Sequence, residues 1–144
     1  MRLAHMLTDS HILSCSPPQP VCELAEQVLA QYDRNAVTFI SGPRCVLVQL
    51  RMIDGVAETA FNAGEILVTE TRIELNGQFG FGMVIGRNPD HATALAVLDA
   101  ALRMPGDPHA DLRPRIAELG RMLGAACERR FAAAAATRVE FETF

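Results

Sequence analysis

Apolar residues recur every three or four positions in several parts of this chain, which is the spacing of a helix with one buried face. The clearest case is residues 21–32, where one side carries the apolar residues Val21, Leu24, Ala25, Val28 and Leu29. Residues 1–14 show a weaker form of the pattern, and the proline-rich residues 16–20 separate the two segments. We therefore expect two helices in the first quarter of the chain.

Two further helices are expected in the second half. Asn88 is a suitable N-cap and Pro89 suits the first helical position, so a helix should begin there and end before Pro105. A longer helix should run from about residue 111 to 136. Its apolar residues form a narrow seam suited to one partner helix: Leu112, Ile116, Leu119, Leu123 and Ala126.

Between the helical segments, apolar and polar residues alternate, which indicates half-buried strands. Residues 37–40 and 45–52 are β-like and are separated by Ser-Gly-Pro-Arg at 41–44, which predicts a hairpin. A loop over residues 53–60 should follow. A last alternating segment, residues 137–144, predicts a terminal strand that needs a sheet edge, its own or a neighbour's.

A second hairpin is expected where Asn76-Gly77 joins two alternating segments. A two-residue loop would pair Leu75 with Gln78 and place Ile73 and Phe79 on opposite faces. We therefore predict an odd-length turn with a bulge, in which Gly77 has a positive φ and Ile73 and Phe79 share a face. The glycines at 80 and 82 lie inside a strand and indicate close approach of a neighbouring backbone or bulky cross-strand neighbour rather than a phosphate loop.

These elements predict an α+β fold: an antiparallel β-meander packed with about four helices, with a long C-terminal helix followed by a terminal strand. A length of 144 residues indicates a single domain, residues 1–144. Of these residues, 49% are hydrophobic and 21% are charged, as in ordinary globular proteins. No apolar run is long enough to cross a membrane and no signal pattern opens the chain, so we expect a cytoplasmic protein.

Charge and cysteine usage narrow the possible functions. The net charge of −4 argues against nucleic-acid binding. All 13 basic residues are arginine, which excludes lysine-based chemistry and leaves two explanations open: a GC-rich genome, or bidentate binding of phosphate or carboxylate. The four cysteines form no C-x-x-C pair, so we expect buried or half-buried thiols and no metal site, iron–sulfur cluster or other cofactor.

The strand-to-helix junction at Gly86 and Arg87 is the strongest candidate site. A cation beside free N–H groups at a helix start can bind an anion, although Arg87 could equally pair with Asp90 or a neighbouring subunit. His91 is a further substrate- or partner-binding candidate, although its place on the apolar stripe of that helix is more typical of a structural histidine. Asp99, in the same apolar setting, needs a partner such as an arginine.

A loop entering a strand contains three further candidates: Asn62, Gly64 and Glu65. Glu65 could serve as a base or a metal ligand, but no second carboxylate at useful spacing supports either role. The alternative is a turn whose polar groups satisfy the backbone. No catalytic constellation can be argued from spacing, so we name no catalytic residue.

The order of these motifs resembles the PhnG family, a subunit of the bacterial phosphonate C–P lyase system. The resemblance covers roughly residues 44–144 and is looser before residue 40. The matching pieces are Phe61-Asn62 with Gly64-Glu65, Gly86-Arg87, His91-Ala92, Leu98-Asp99-Ala100 and Thr137-Arg138-Val139-Glu140-Phe141. One departure is Thr69-Glu70, which reverses a charge where the family has Thr-Arg.

The resemblance implies a supporting subunit of the C–P lyase core complex. Its partners would be PhnI, PhnJ and PhnH, and the complex would transfer ribose 5-triphosphate from ATP to methylphosphonate with release of adenine. It also marks Arg138 and Phe141 as further substrate- or partner-binding candidates. The alternative is a stand-alone ligand-binding protein or enzyme acting on an anionic small molecule. In either case we expect the isolated chain to form a homo-oligomer, because the helical seam and the terminal strand both need partners.

Overall fold

The computed structural model describes residues 8–138 and has an α+β architecture, as predicted. Its three strands form one antiparallel sheet in the order β1-β2-β3. The elements in chain order are α1 (Asp9–Cys15), α2 (Pro18–Leu29), a 3-10 turn (Arg34–Ala36), β1 (Val37–Ile53), β2 (Ala60–Leu75), β3 (Gln78–Ile85), α3 (Pro89–Leu102) and α4 (Leu112–Ala136). The predicted terminal strand lies outside the described residues, apart from its first two positions.

The start of α3 follows the capping signal in the sequence. The Asn88 side chain accepts a hydrogen bond from the His91 N–H (3.2 Å), and Pro89 occupies the first turn of α3. Pro18 opens α2 instead of preceding it, because proline lacks only an N–H that has no helical partner in the first turn. The proline-rich segment thus separates α1 from α2 and also begins α2.

The hairpin predicted at residues 41–44 is wrong. Residues 37–40 and 45–52 both belong to the continuous strand β1, and both pair with β2. The register shifts between Phe39 and Arg44 instead, so the Gly-Pro segment forms a bulge. A Cβ atom on Gly42, whose φ is +83°, would lie 2.5 Å from the Glu70 carbonyl oxygen, so this glycine permits a close backbone approach.

The predicted odd-length turn between β2 and β3 is also wrong. Leu75 pairs directly with Gln78, and the two turn residues Asn76 and Gly77 have φ of 49° and 82°. Positive φ at both positions is the signature of a two-residue type I′ turn. The prediction for Gly77 is confirmed, whereas Ile73 faces the core and Phe79 lies on the opposite face beside Glu74.

This register is possible because glycines, rather than large apolar residues, face the core from β3. We call the side of the sheet that packs on α3 the inner face. Gly80 and Gly82 lie on it, and a Cβ atom on Gly80 would lie 2.7 Å from the Cβ of Ala100. The predicted close backbone approach at these glycines is confirmed, and it allows α3 to lie directly against β3.

The core surrounds α3, in which 10 residues are buried. This helix contacts β2 and β3 on one side and α1 and α2 on the others. The first half of α4 packs against α1 through Leu112, Ile116 and Leu119, the start of the predicted seam. Beyond Gly120, α4 is half-buried or exposed.

Candidate functional site

The junction between β3 and α3 is held by one buried hydroxyl group. Thr69 Oγ1 donates a hydrogen bond to the Gly86 carbonyl (2.6 Å) and accepts one from the Asn88 N–H (3.0 Å). The Gly86 N–H donates to the Leu67 carbonyl (2.8 Å), and its φ of +83° suits glycine. Thr69 therefore fixes the chain on both sides of Arg87. This role of Thr69 could not be predicted, since a threonine in a strand carries no sequence signal of it.

The amide groups at the start of α3 are mostly occupied. The Asn88 N–H binds Thr69, the His91 N–H binds the Asn88 side chain, and the Ala92 N–H binds the Asn88 carbonyl (3.1 Å). Pro89 has no N–H, so within residues 8–138 only the Asp90 N–H of the first turn has no partner. The negatively charged carboxylate of Asp90 itself lies next to this N–H. This helix end therefore has fewer free N–H groups to bind an anion than the sequence pattern predicts.

Arg87 is exposed, and its side chain makes no hydrogen bond or ion pair with any residue in the described part of the chain. The pairing with Asp90 considered from the sequence is not formed. Arg87 is therefore available to a ligand or to another protein.

His91 and Asp99 have structural roles. His91 is buried, and its Nε2 lies 2.8 Å from the Leu13 carbonyl oxygen, which ties α1 to α3. Asp99 pairs with Arg103 (2.9 Å), as expected, and also accepts a hydrogen bond from the Phe81 N–H (3.0 Å). The second bond satisfies a backbone donor on the free edge of β3. The buried His91 therefore positions α1 against α3.

The predicted loop holding Asn62, Gly64 and Glu65 is part of strand β2. These residues pair with Arg51, Leu50 and Gln49 of β1, respectively, and all three are exposed. They lie where β1 and β2 continue past the end of β3, whose last pair is Val68 with Ile85. We call this two-stranded ribbon, residues 47–53 and 60–67, the arm.

The structure places the junction beside the base of the arm, since Gly86 binds Leu67. Within the described residues, no contact links Arg138, one of the two remaining candidates, to this junction. Arg138 follows the end of α4 and is exposed, and its N–H donates to the Ala135 carbonyl (3.2 Å). Phe141 lies outside the described residues.

The charge at Glu70 has a local explanation. Glu70 lies opposite Arg44 across β1 and β2, and its carboxylate accepts hydrogen bonds from the Arg44 Nε (2.8 Å) and Nη2 (2.6 Å). The side chain of Glu70 is largely buried, so the carboxylate needs this partner. An arginine at position 70 would place two like charges opposite each other.

The prediction of buried thiols is wrong for three of the four cysteines. Cys15, Cys45 and Cys127 are exposed, because Cys45 lies on the edge strand β1 and Cys127 in the exposed half of α4. Only Cys22 is half-buried. Burial, with smaller contributions from Asp90 and Glu26, raises the pKa of the Cys22 thiol. Among residues 8–138, no three His, Cys, Asp or Glu side chains are arranged to hold a metal ion.

Comparison with known proteins identifies the family. The model of the family "Phosphonate metabolism protein PhnG" matches residues 9–144, nearly the whole chain. The chain belongs to the PhnG family. A similar member is the alpha-D-ribose 1-methylphosphonate 5-triphosphate synthase subunit PhnG of Rhizobium meliloti, strain 1021. The two are 30% identical over 112 residues, which cover 77% of this chain and 71% of the relative.

PhnG family membership assigns the chain to phosphonate metabolism, as a subunit of a multi-protein complex. The match extends through α1 and α2. Within the described residues, none of the helices is long and apolar enough to cross a membrane.

Proposed function

We propose that this chain is a supporting, non-catalytic subunit of the C–P lyase core complex. With PhnI, PhnJ and PhnH it helps to transfer ribose 5-triphosphate from ATP to methylphosphonate, and adenine is released. Family membership supports the pathway, and the name of the Rhizobium relative supports the synthase step. Because the reaction consumes ATP, we place the complex in the cytoplasm.

The observation that carries a supporting role is the amount of apolar side chain left in solvent. Leu47, Ile53 and Ile85 are 62%, 71% and 77% exposed, and Phe79 and Met83 are about half exposed. They lie in the arm and along β3, whose side chains at these positions point away from the core. So many exposed large apolar residues are typical of a protein that binds partners. We propose that sister subunits cover it.

In this complex the junction and the arm form the binding surface. Arg87 contacts an acidic surface of a sister subunit, because its guanidinium is unpaired while the neighbouring amides are already bonded. Asn62, Gly64, Glu65 and Gly86 belong to the same surface. His91 supports it from inside by holding α1 against α3.

Co-expression tests this proposal. A tagged copy of the chain should retain PhnI, PhnJ and PhnH through purification, and deletion of its gene should abolish growth on methylphosphonate as the phosphorus source. If the purified chain alone binds a nucleotide tightly or turns it over, the alternative of a stand-alone enzyme or ligand-binding protein is correct instead.

Arg87→Ala should weaken assembly by about 1–3 kcal/mol, the usual scale of a charge-assisted contact. Arg87→Lys should recover only part of the affinity, because the planar fork is lost. Arg129→Ala, which removes an exposed arginine from α4, is the matched control and should assemble normally. Unchanged assembly and growth with Arg87→Ala would show that the junction is scaffold.

The isolated chain should self-associate, because the apolar surface lacks its covering subunits. Multi-angle light scattering should show a mass above 15.7 kDa that rises with concentration. A sharp monomer over a wide concentration range would contradict this expectation.

A further inference from the structure

The arm lacks the support that the rest of the sheet receives. Beyond the pair of Val68 with Ile85, β1 and β2 continue without a third strand for about eight residues, roughly 25 Å. Within the described chain, none of the arm side chains is buried. A two-stranded ribbon is at best marginally stable in water. The arm therefore needs a further strand or layer in its working state.

The free edge of β1 is protected next to the body of the protein but not along the arm. The bulge and Pro43 interrupt the edge beside the core, and both features discourage pairing with another strand. Residues 45–53 contain no proline and no lysine, and Arg51 is their one charged residue. An unguarded apolar edge of this length favours strand addition.

The register shows which backbone groups an added strand would meet. The Leu67 carbonyl accepts from Gly86 on the β3 side, so Leu67 and its partner Leu47 form a non-hydrogen-bonded pair. Because the pattern alternates along an antiparallel ladder, Leu47 and Gln49 direct their N–H and C=O groups to the free edge of β1. These groups are the acceptors and donors for a further strand.

Arg51 indicates the charge of that strand. It is exposed opposite Asn62, and within residues 8–138 it makes no ion pair, in contrast to Arg44 with Glu70. A second copy of β1 would not neutralise it, since residues 37–53 contain no Asp or Glu. The complementary segment therefore differs from β1 and carries a carboxylate.

We propose that the free edge of β1 in the arm accepts an extended segment of a sister subunit. This segment is mainly apolar, pairs with the backbone at Leu47 and Gln49, and places an Asp or Glu beside Arg51. The inference rests on the proposed function and adds to it the docking element and the chemistry of the segment that docks.

The test uses the complex co-expressed with PhnI, PhnJ and PhnH. Gln49→Pro removes an outward N–H, and Gln49→Thr, the matched control, keeps it in a residue that favours strands. Gln49→Pro and Arg51→Glu should each lower retention of the sister subunits at least about ten-fold, whereas Gln49→Thr should not. Arg51→Lys should lie between the wild type and Arg51→Glu.

Amide hydrogen exchange gives a readout that does not depend on the variants. The Leu47 and Gln49 amides should exchange rapidly in the isolated chain and slowly in the complex, while the Val48 amide, which faces β2, should change less. In the isolated Gln49→Pro and Arg51→Glu variants, unchanged exchange in α3 would show that the body remains folded.

The outcomes separate this inference from the proposed function. If the wild-type chain retains no sister subunit, the proposed function fails and the inference fails with it. If the complex forms equally well with Gln49→Pro and Arg51→Glu, the proposed function stands and the docking edge is wrong. If these variants abolish only self-association of the isolated chain, the edge binds a second copy and the inference is again wrong.

Discussion

The contact between β3 and α3 predicts that Gly82→Ala strongly destabilises the fold. A Cβ atom on Gly82 would overlap the Ala92 carbonyl oxygen and lie 2.7 Å from the Ala96 amide nitrogen. Both atoms belong to the backbone of α3, which is buried on most sides and cannot yield as a flexible side chain would. The helix must therefore shift away from the sheet.

The size of the effect follows from the kind of atoms that clash. Overpacking in a core typically costs about 1–3 kcal/mol, and an overlap with helix backbone belongs at the upper end. We expect a loss of about 3 kcal/mol, which for a chain of this length lowers Tm by about 10 °C. This is a large part of the ~5–15 kcal/mol by which domains are stable.

Gly124→Ala is the control for this prediction. Gly124 lies in the half-exposed part of α4, and a Cβ atom there would meet nothing within 4 Å. Alanine should therefore stabilise the helix by about 1 kcal/mol and raise Tm slightly. Both variants can be compared by thermal and urea unfolding followed by circular dichroism. If Gly82→Ala melts within about 1 °C of the wild type, the close packing of α3 on β3 is refuted.

Three further predictions concern Asp99, His91 and Cys22. Asp99→Leu should lower the free energy of unfolding by about 1–3 kcal/mol, because the Phe81 N–H loses its acceptor. Asp99→Asn should retain part of this stability. Equal urea midpoints for the wild type and Asp99→Leu would contradict the prediction. His91→Leu leaves the Leu13 carbonyl without its partner, so amide hydrogen exchange in α1 should accelerate. Unchanged exchange would show that this bond does not hold α1 against α3. Because the pKa of Cys22 is raised, its alkylation rate should reach half-maximum at a higher pH than the rate of an unfolded cysteine peptide. The rate can be followed by mass spectrometry of the labelled protein. A midpoint at or below that of the unfolded peptide would contradict the prediction.

The elements with local signals were predictable from the sequence. The start of α3 depends on the cap at Asn88 and on Pro89, which act within one turn. The amphipathic pattern of α2 and the partner of Asp99 also depend on residues close in the sequence, since Arg103 lies one turn further along α3. For such features the sequence contains both members of the interaction.

The candidate site was predictable only in part. The strand-to-helix junction at Gly86 and Arg87 was predicted from the sequence and is present in the structure, whereas a binding role for Arg87 stays a prediction. The hydrogen bonds of Thr69, which occupy the junction and one of the nearby amides, join residues 17 and 19 positions apart. No spacing rule in the sequence indicates a bond of that kind.

By itself, then, the sequence determined the α+β class, the helices, the cap at Asn88, the positive φ of Gly77 and the family. The tertiary structure decided the faces: it placed Gly80 and Gly82 against α3, turned Phe79 outward, and joined residues 37–53 into one strand. The physical reason is the small size of glycine. Alternating apolar residues mark the core face of a strand only where side chains fill the space between the strand and its neighbour. Here the backbone of α3 fills the space next to β3 directly. The large residues of β3 are consequently displaced to the opposite face, where they leave the surface that we propose to be covered by sister subunits.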